Sequence, residues 1–539
     1  MPHQARRYAS PPPQPGHHPA VIVGAGLVGL TLALDLAQRG IPTVVLDDDD
    51  CVSTGSRAIC MAKRSLEIFG RLGLGRRMLE KGVQWNTGRV YLRDRELFDF
   101  DLLPDDGPEN SPENSYEYPA FINLQQYYAE EWLVDACAAT GLVDLRWKHA
   151  VTALESHPSG ATIQVSAPGG HYALSADWLL ACDGANSTIR RAMNLPFTGK
   201  VFRDRFLIAD VVMQAPFPSE RRFWFDPPFH PNQSALLHKQ PDDIWRIDLQ
   251  LGWDTDPEEE RKPERVIPRI QAMLGPDAEF ALEWVSIYTF RCRRLERFVH
   301  DRVVFVGDSA HQVSPFGARG GNGGIQDADN LAWKLAAILQ HRAPATLIQT
   351  YDDERIPAAD ENILHSTRAT DFITPKTPAA RAYRDAALLL AQNHPFARAM
   401  VNSGRLSRPC ILPIHGDTDH WPGAPPLGSA AIDAPILQNG RPTWLLNRLG
   451  SHFTLLVMTG LVPVTHATPQ KLAVPAHILY LSPENDPNHL LASRYALTEG
   501  NCILFRPDQH VAGIFHRFDP ARIARAIEAA MGARQHEPA

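Results

Sequence analysis

A glycine-rich stretch that leads into a helix constrains this chain more than any other feature. Six glycines fall within Gly307–Gly324, and the sequence after them, IQDADNLAWKLAAILQ, has the apolar spacing of an amphipathic helix. Glycines let the backbone approach a ligand closely, and the free N–H groups at the start of a helix favour negative charge. The stretch therefore predicts a site for a large ligand that forms an anion; the alternative is a plain βα turn.

Length and charge narrow the class of protein. A chain of 539 residues is too long for one core and predicts three domains. A net charge of −8 offers no basic face for nucleic acid. No apolar run reaches the roughly 18–20 residues that a membrane span needs. The proline-rich start lacks the apolar core of a signal peptide, so residues 1–19 are predicted to be a disordered tail.

The cysteines predict the compartment. Seven are scattered along the chain without a CxxC pair or a metal-ligand spacing. An odd number without a pattern is typical of a reducing environment and predicts no metal site. We therefore expect a cytoplasmic protein, and we allow for a homodimer.

The N-terminal region carries a dinucleotide-binding fingerprint. A short apolar strand at residues 20–23 runs into GAGLVG, a helix follows, and a second strand ends at Asp47. Gly24, Gly26 and Gly29 would allow the tight turn, the approach of a pyrophosphate and close helix packing. Asp47 would accept hydrogen bonds from ribose hydroxyls and repel a 2′-phosphate. The nucleotide is thus predicted to be FAD or NAD rather than NADP.

Two later strands end in acid–glycine corners. The strand WLLAC is followed by Asp183 and Gly184, and the strand VVFV by Gly307 and Asp308. Such corners place carboxylates at the carboxyl edge of a sheet, where ligands bind. In an enzyme that used NAD alone, neither of these corners would have a ligand to bind, so the two corners favour FAD.

The order of these motifs resembles the class A flavoprotein monooxygenases, single-component aromatic hydroxylases with a para-hydroxybenzoate hydroxylase type of fold. The resemblance covers roughly residues 20–375. It implies FAD as the bound cofactor and NADH or NADPH with O2 as co-substrates. It also implies that a C4a-hydroperoxyflavin transfers one oxygen to a phenolic or other electron-rich aromatic substrate. No second glycine fingerprint exists for the nicotinamide nucleotide, which is normal for this class.

The resemblance also assigns residues around the cofactor. Arg57 stands where the family often has an arginine beside FAD. Gln126, four residues before Glu130, is similar to the glutamine of a QxxxE pattern that contacts the cofactor, and Gln125 is the alternative. These side chains are therefore expected at the flavin.

Further assignments concern the two corners and the glycine-rich loop. Asp183 resembles the acid that serves both FAD and the nicotinamide nucleotide, and Asp308 the acid that binds the ribityl chain. The loop along the isoalloxazine ring is matched by Pro315, Gly320, Gly321 and Asn322. The N–H groups of the last two are expected to face the ring O2. Reduced flavin carries its charge at N1 and O2, so a helix N-terminus there suits it independently.

The middle of the chain predicts a mixed or antiparallel sheet that would carry the substrate. SALLHKQPDDIWRIDLQLGW reads as two strands around a turn. His238 could take the proton of a phenol, and Arg246 could hold a carboxylate or phenolate. Tyr288 is a third candidate. For each of the three, a structural role on the sheet is the alternative.

The predicted architecture is α/β, with a Rossmann-like FAD-binding domain, an inserted sheet domain for the substrate and a thioredoxin-like C-terminal α/β domain. This last domain resembles that of the phenol hydroxylase subgroup, and without a CxxC pair it is expected to serve packing or subunit contact. The predicted limits are 20–196 with 291–375 for FAD, 197–290 with 85–118 for the substrate, 376–420 for a helical connector and 421–539 for the C-terminal domain.

Other functions remain as alternatives. A flavin-dependent halogenase should show a WxWxIP motif, and IWRIDL is not one. A flavin-dependent oxidoreductase acting on a non-phenolic substrate, or a catalytically silent FAD-binding partner protein, would keep the same cofactor residues. Substrate-stimulated oxidation of NAD(P)H distinguishes these cases.

Overall fold

A computed structural model describes residues 5–101, 115–215, 217–401, 407–460 and 476–532, which form mixed α/β structure. The strands in chain order are β1 (Gly16–Val23), β2 (Thr43–Asp47), β3 (Cys60–Ala62), β4 (Val83–Gln84), β5 (Thr87–Leu92), β6 (Arg95–Asp101), β7 (Phe121–Asn123), β8 (Val143–Trp147), β9 (Ala150–His157), β10 (Gly160–Ala167), β11 (Gly170–Ala181), β12 (Thr198–Val212), β13 (Arg221–Phe225), β14 (Ser234–Lys239), β15 (Ile244–Leu251), β16 (Ala281–Arg294), β17 (Val299–His300), β18 (Val303–Phe305), β19 (His311–Gln312), β20 (Pro435–Gln438), β21 (Arg441–Trp444), β22 (Thr454–Met458), β23 (His477–Leu481), β24 (Cys502–Phe505) and β25 (Val511–Phe515).

Helices connect and cover these strands. In chain order they are α1 (Leu27–Gln38), α2 (Lys63–Arg71), α3 (Gly75–Lys81), α4 (Gln126–Thr140), α5 (Thr188–Ala192), α6 (Pro257–Glu260), α7 (Pro263–Leu274), α8 (Gly320–Leu339), α9 (Gln349–Ile373), α10 (Pro378–Ala391), α11 (Pro395–Val401), α12 (Leu490–Tyr495) and α13 (Pro520–Ala530). Among the described helices, none combines the length and apolar character that crossing a membrane requires.

The first sheet places three ligand-binding turns at one edge. Its order is β17-β18-β11-β1-β2-β8, with β1 parallel to both β2 and β11, and β11 parallel to β18. These strands are buried on both faces, which explains their continuous apolar sequences. The GAGLVG turn and the corners at Asp183 and Gly307 follow the carboxyl ends of β1, β11 and β18, so all three meet at the same edge.

The second sheet has two buried faces of different character. Its order is β19-β16-β12-β15-β14-β13-β5-β6. On β15, Trp245, Ile247 and Leu249 pack in an apolar cluster with residues of α7. The opposite face meets the FAD-binding domain, where the Arg246 guanidinium donates to the carbonyl of Ser56 at 2.8 Å. The sheet domain therefore lies directly against the cofactor domain.

The C-terminal region contains both strands and helices. A four-stranded sheet of order β23-β22-β24-β25 is followed by α13, and a hairpin of β20 and β21 precedes it. The α/β class and the sheet-rich middle part are confirmed, whereas the thioredoxin-like assignment and the domain limits stay predictions.

The start of the chain differs from the disordered tail predicted for residues 1–19. From residue 5 onward it lies on the protein: the Tyr8 ring stacks on Trp147 with ring centres 4.6 Å apart, and the Tyr8 N–H donates to the Asp50 carbonyl at 2.8 Å. The strand β1 already begins at Gly16. The proline content predicted disorder, but it does not show that Tyr8 stacks on Trp147 and pairs with the backbone of Asp50, and these contacts order the segment.

Two helix predictions also need correction. The helix after the flavin loop begins at Gly320 rather than near Ile325, so four of the six glycines are helical. The connector predicted as helical over 376–420 contains α10 and α11, but residues 407–420 have no helix. Pro409 and Pro413 explain this, because proline lacks the N–H that a helix interior needs.

A buried ion cluster joins the C-terminal region to the helices of the FAD-binding domain. Arg506 donates two hydrogen bonds of 2.8 Å to the carboxylate of Glu354 on α9, which also pairs with Lys334 at 2.9 Å. Nearby, Arg64 donates to Asp329 on α8 at 3.0 Å and to the carbonyl of Asp508 at 2.9 Å. Burial opposes ionisation of Glu354, but Arg506 and Lys334 outweigh it and lower its pKa to about 2.

We predict that Glu354→Gln lowers the free energy of unfolding by about 3–5 kcal/mol, because it removes the carboxylate that two buried cations share and leaves Arg506 with Asp508 alone. The folded pKa lies below the ordinary value, so this contribution is present near neutral pH and is lost as pH falls through about 2. Denaturant unfolding measures the effect. Asp353→Asn, at an exposed position of the same helix, is the control, and equal stability of the two variants would contradict the prediction.

Candidate active site

The GAGLVG turn has a backbone that only glycine permits at two positions. Gly24 has a φ of +105°, and a Cβ there would lie 2.5 Å from the carbonyl oxygen of Cys182. A Cβ on Gly29 would lie 2.0 Å from the carbonyl oxygen of Gly24. Gly26 stands at the N-cap of α1 and contributes no side chain. The turn is thus packed tightly from behind, while its outer side stays free for the backbone to meet a ligand.

Asp47 closes the second strand beside this turn. Its Oδ2 accepts from the N–H of Ala25 at 2.6 Å, and its Oδ1 from the N–H of Asp49 at 2.9 Å. Burial raises its pKa to about 6. Each carboxylate oxygen retains acceptor capacity, so Asp47 can still receive ribose hydroxyls.

Gln126 and Glu130 brace the start of α1. Glu130 is fully buried and accepts from the N–H of Leu27 at 2.9 Å and from the N–H of Ser53 at 2.8 Å. Gln126 donates to Glu130 at 2.7 Å and accepts from the N–H of Ala58 at 3.0 Å. Burial raises the pKa of Glu130. The QxxxE pattern therefore holds segment 53–58 against the dinucleotide turn.

The neighbouring candidates differ in exposure. Gln125 is buried and donates to the carbonyl of Pro241 at 3.2 Å, away from segment 53–58. Arg57 is exposed, and its carbonyl accepts from Arg246 at 3.1 Å. Its side chain is therefore exposed to solvent, and its contact with the flavin stays a prediction.

The two acid corners present carboxylates with spare acceptors. Asp183 accepts from the N–H of Ile189 at 3.0 Å through Oδ2, but its buried Oδ1 has no partner among the described residues. Burial raises the pKa of both Asp183 and Asp308. A buried acceptor without a donor is costly. The hydroxyl groups of a ribityl chain or a ribose would satisfy it.

The N-terminus of α8 supplies free N–H groups next to that of α1. Gly323 makes the first N–H donation within the helix, to Arg319, so the N–H groups of Gly320, Gly321 and Asn322 have no helical acceptor. A Cβ on Gly321 would lie 3.6 Å from the side chain of Leu27, the first residue of α1. Two positive helix ends thus face the same space.

The side chain of Asn322 has a structural task. Its Oδ1 accepts from the N–H of Ala62 at 2.9 Å and from Ser65 at 2.6 Å, and its Nδ2 donates to the carbonyls of Cys60 and Ala318 at 2.8 and 2.6 Å. It joins the loop ahead of α8 to β3. Its side chain is thus fully used within the protein, and the contact of its backbone N–H with the flavin stays a prediction.

Asp327 holds the loop from behind, a role that its sequence position did not indicate. Its carboxylate accepts from the N–H of Gly307 at 3.1 Å, from His311 at 2.6 Å and from Arg355 at 2.7 Å. Burial opposes its ionisation, but His311 and Arg355 outweigh it and lower its pKa to about 2. It therefore anchors the Gly307 corner to α8.

These features fit FAD as the cofactor. The tight glycine turn and the start of α1 would hold its pyrophosphate, Asp47 its ribose, Asp183 and Asp308 its hydroxyls, and the start of α8 its ring. The orphaned oxygen of Asp183 is the observation that calls for a hydroxyl donor at this place.

On the second sheet, a row of polar side chains crosses the strands and faces the cofactor domain. The register pairs Asp210 with Arg246 and Arg246 with His238, and the pairing of Arg222 with Leu237 puts Arg221 beside His238. Asp210 accepts from Ser56 and, at 3.0 Å, from Gln240, and burial raises its pKa to about 6. Sequence reasoning missed Arg221 and Asp210, because their place in the row depends on register.

Arg246 and His238 are both buried in this row. Arg246 donates to Asp248 at 2.8 Å and to the carbonyls of Ser56 and Arg57, so its guanidinium is committed to protein groups. Burial, together with the charges of Arg221 and Arg246, lowers the pKa of His238 well below its ordinary value. His238 is therefore neutral near neutral pH, and its catalytic role stays a prediction. The third candidate, Tyr288, is 42% exposed.

A cavity of about 580 Å³ lies between the second sheet, helices α9 to α11 and the flavin loop. Aromatic rings form one side of it, with Phe223 and Phe225 from β13, Phe316 from the loop and Phe372 from α9. Charged side chains also line the cavity: Arg319, Arg368, Asp371 and Arg384. Arg221 lines it as well, because residues 221, 223 and 225 share one face of the strand. This volume suits an organic ligand with several rings.

Comparison with known proteins gives the family. Residues 17–366 match the family model described as FAD binding domain. A flavin-dependent monooxygenase of Mycobacteroides abscessus is 28% identical over 91% of this chain and 96% of its own length. A 3-(3-hydroxy-phenyl)propionate/3-hydroxycinnamic acid hydroxylase of Shigella sonnei is 28% identical over 81% and 77%. The structure of the flavin-dependent monooxygenase PieE with FAD and substrate shares the fold, with a TM-score of 0.82 at 21% identity over 96% of this chain and 99% of that one. The chain therefore belongs to the FAD binding domain family, as a flavin-dependent monooxygenase of class A.

Proposed function

We propose that this enzyme hydroxylates a phenolic or other electron-rich aromatic substrate, using FAD, NADH or NADPH, and O2. The observation that carries this proposal is the aromatic-walled cavity that reaches the flavin loop at Phe316 and Gly317. It offers a planar ring system a site with aromatic contacts beside the place where the cofactor fits. The Shigella sonnei relative, named for hydroxylating a phenol, supports the substrate class.

The chemistry of oxygen transfer belongs to the flavin when it is bound. The chain contributes position, charge and exclusion of water. The N–H groups of Gly321 and Asn322 stabilise negative charge at the start of α8, and Asp308 and Asp183 orient the cofactor chain. Arg246 holds segment 56–57 against the sheet through two carbonyls, so we propose it as a positioning residue. His238 is neutral, and its buried Nδ1 has no partner within the described residues. We propose that it forms a hydrogen bond with the substrate and does not act as a strong base.

We further propose that the enzyme works in the cytoplasm. Its seven cysteines all carry free thiols, and six of them are buried, which suits a reducing environment. A homodimer also remains our proposal, and sedimentation of the flavin-loaded protein measures it.

The test of the function is a screen of aromatic compounds for stimulated consumption of NADH or NADPH by the flavin-loaded protein. A true substrate stimulates consumption and yields a product heavier by one oxygen. Stimulated consumption that yields only hydrogen peroxide, for every compound tried, would reject hydroxylation.

We predict that Gly29→Ala lowers FAD affinity at least about tenfold, because the added Cβ meets the carbonyl oxygen of Gly24 at 2.0 Å and must displace the pyrophosphate turn. Flavin fluorescence titration measures affinity, and circular dichroism verifies the fold. Gly416→Ala is the control, since the nearest atom to its Cβ is 3.9 Å away. FAD binding equal to the control would refute the assigned site.

We predict that Ala369→Trp abolishes the response to substrate but leaves FAD content unchanged, because Ala369 lines the cavity and the new ring fills it. The ratio of stimulated to unstimulated NAD(P)H oxidation measures this. Leu364→Trp, on the same helix at a site that is 46% exposed, is the control. A substrate response that survives in Ala369→Trp would place the substrate elsewhere.

A further inference from the structure

Arg221 brings a positive charge to the aromatic side of the cavity, which Arg319, Arg368, Asp371 and Arg384 also line. On β13 it shares a face with Phe223 and Phe225, and all three line the cavity. The next strand, β5, places Gly88 beside it in the register, and the Phe100 ring from β6 lies over Gly88 and also lines the cavity. The guanidinium therefore stands at the end of an aromatic wall.

No group of the described residues pairs with this charge. Throughout the described ranges, the Arg221 side chain forms no hydrogen bond or ion pair, and its Nε is buried without a partner. Burial lowers its pKa, which expresses the cost of keeping the cation there. The side chain is only partly exposed, and a partly desolvated cation without an anion favours a negatively charged ligand.

The carboxylates near Arg221 or in the cavity wall already have partners. Asp371, which lines the same cavity, accepts from Lys200 at 2.7 Å. Asp248 accepts from Arg246 at 2.8 Å. Glu220, the residue before Arg221, accepts from Arg222 at 2.7 Å and from Arg89 at 2.6 Å. The neighbour across the sheet, His238, is neutral or positive and offers no negative charge. The missing anion must come from a ligand.

We infer that Arg221 binds a carboxylate carried by the aromatic substrate. This inference rests on the proposed function, which makes the cavity the substrate site. A guanidinium pairs with the two oxygens of a carboxylate in one plane, and the aromatic walls hold the attached ring. The sequence suggested Arg246 for this task, but the contacts of Arg246 with Asp248, Ser56 and Arg57 leave Arg221 to perform it.

Binding to the flavin-loaded, oxidised protein tests the inference without turnover. The probes are anthraquinone-2-carboxylate and its neutral carboxamide, and calorimetry or the absorbance change of the bound flavin gives each dissociation constant. We expect the wild type to bind the carboxylate at least about tenfold more tightly than the carboxamide. Arg221→Met should bring this ratio close to one, mainly by weakening carboxylate binding.

Arg222→Met is the matched control, because Arg222 lies on the opposite face of the same strand and pairs with Glu220. It should keep the wild-type ratio. Arg221→Gln provides a second test should the methionine variant fold poorly, and the preference must vanish there too. Any of three results overturns the inference. The wild type shows no preference for the carboxylate over the carboxamide, this preference survives both Arg221 variants, or the variants lose FAD while the preference is unchanged. A failure to hydroxylate any compound would reject the proposed function alone.

Discussion

The close contact between α1 and α8 is the constraint on which the site depends. A Cβ on Gly324 would lie 2.5 Å from the side chain of Val28, so only glycine lets the two helices approach this closely. Their contact brings the dinucleotide turn and the flavin loop into one cleft, although about 300 residues separate them in the sequence. It also directs two positive helix ends at the same space, which an anionic cofactor relieves.

Behind this cleft, buried carboxylates fix the geometry. Asp327 anchors the Gly307 corner, and Glu130 braces segment 53–58 against α1. Both are satisfied by several donors, as buried charges must be. Asp183 is satisfied only in part, with one oxygen left for a ligand. Asp327 and Glu130 therefore have structural roles, whereas Asp183 keeps an acceptor for the cofactor.

The sequence predicted local features well and non-local ones poorly. The turn at Gly24–Gly29, the acid Asp47 and the strands of the middle domain follow from spacing and composition. The start of α8 did not, because glycines suggest a loop and only the packing against Val28 explains why they are helical. The sequence could not show whether Arg246 or Arg221 is available for a substrate carboxylate. This depends on the register of three strands, because residue type and alternation do not show which guanidinium is hydrogen-bonded within the protein.

The ion cluster at Arg506 limits how modular this protein can be. The C-terminal region supplies both the guanidinium that Glu354 requires and, at Asp508, a carbonyl for Arg64. Removing this region would leave buried charges on the helices that frame the flavin cleft. The region is therefore not an independent appendage. A chimeric enzyme that exchanged it would need to retain the 506–510 turn together with α8 and α9 as one inherited unit.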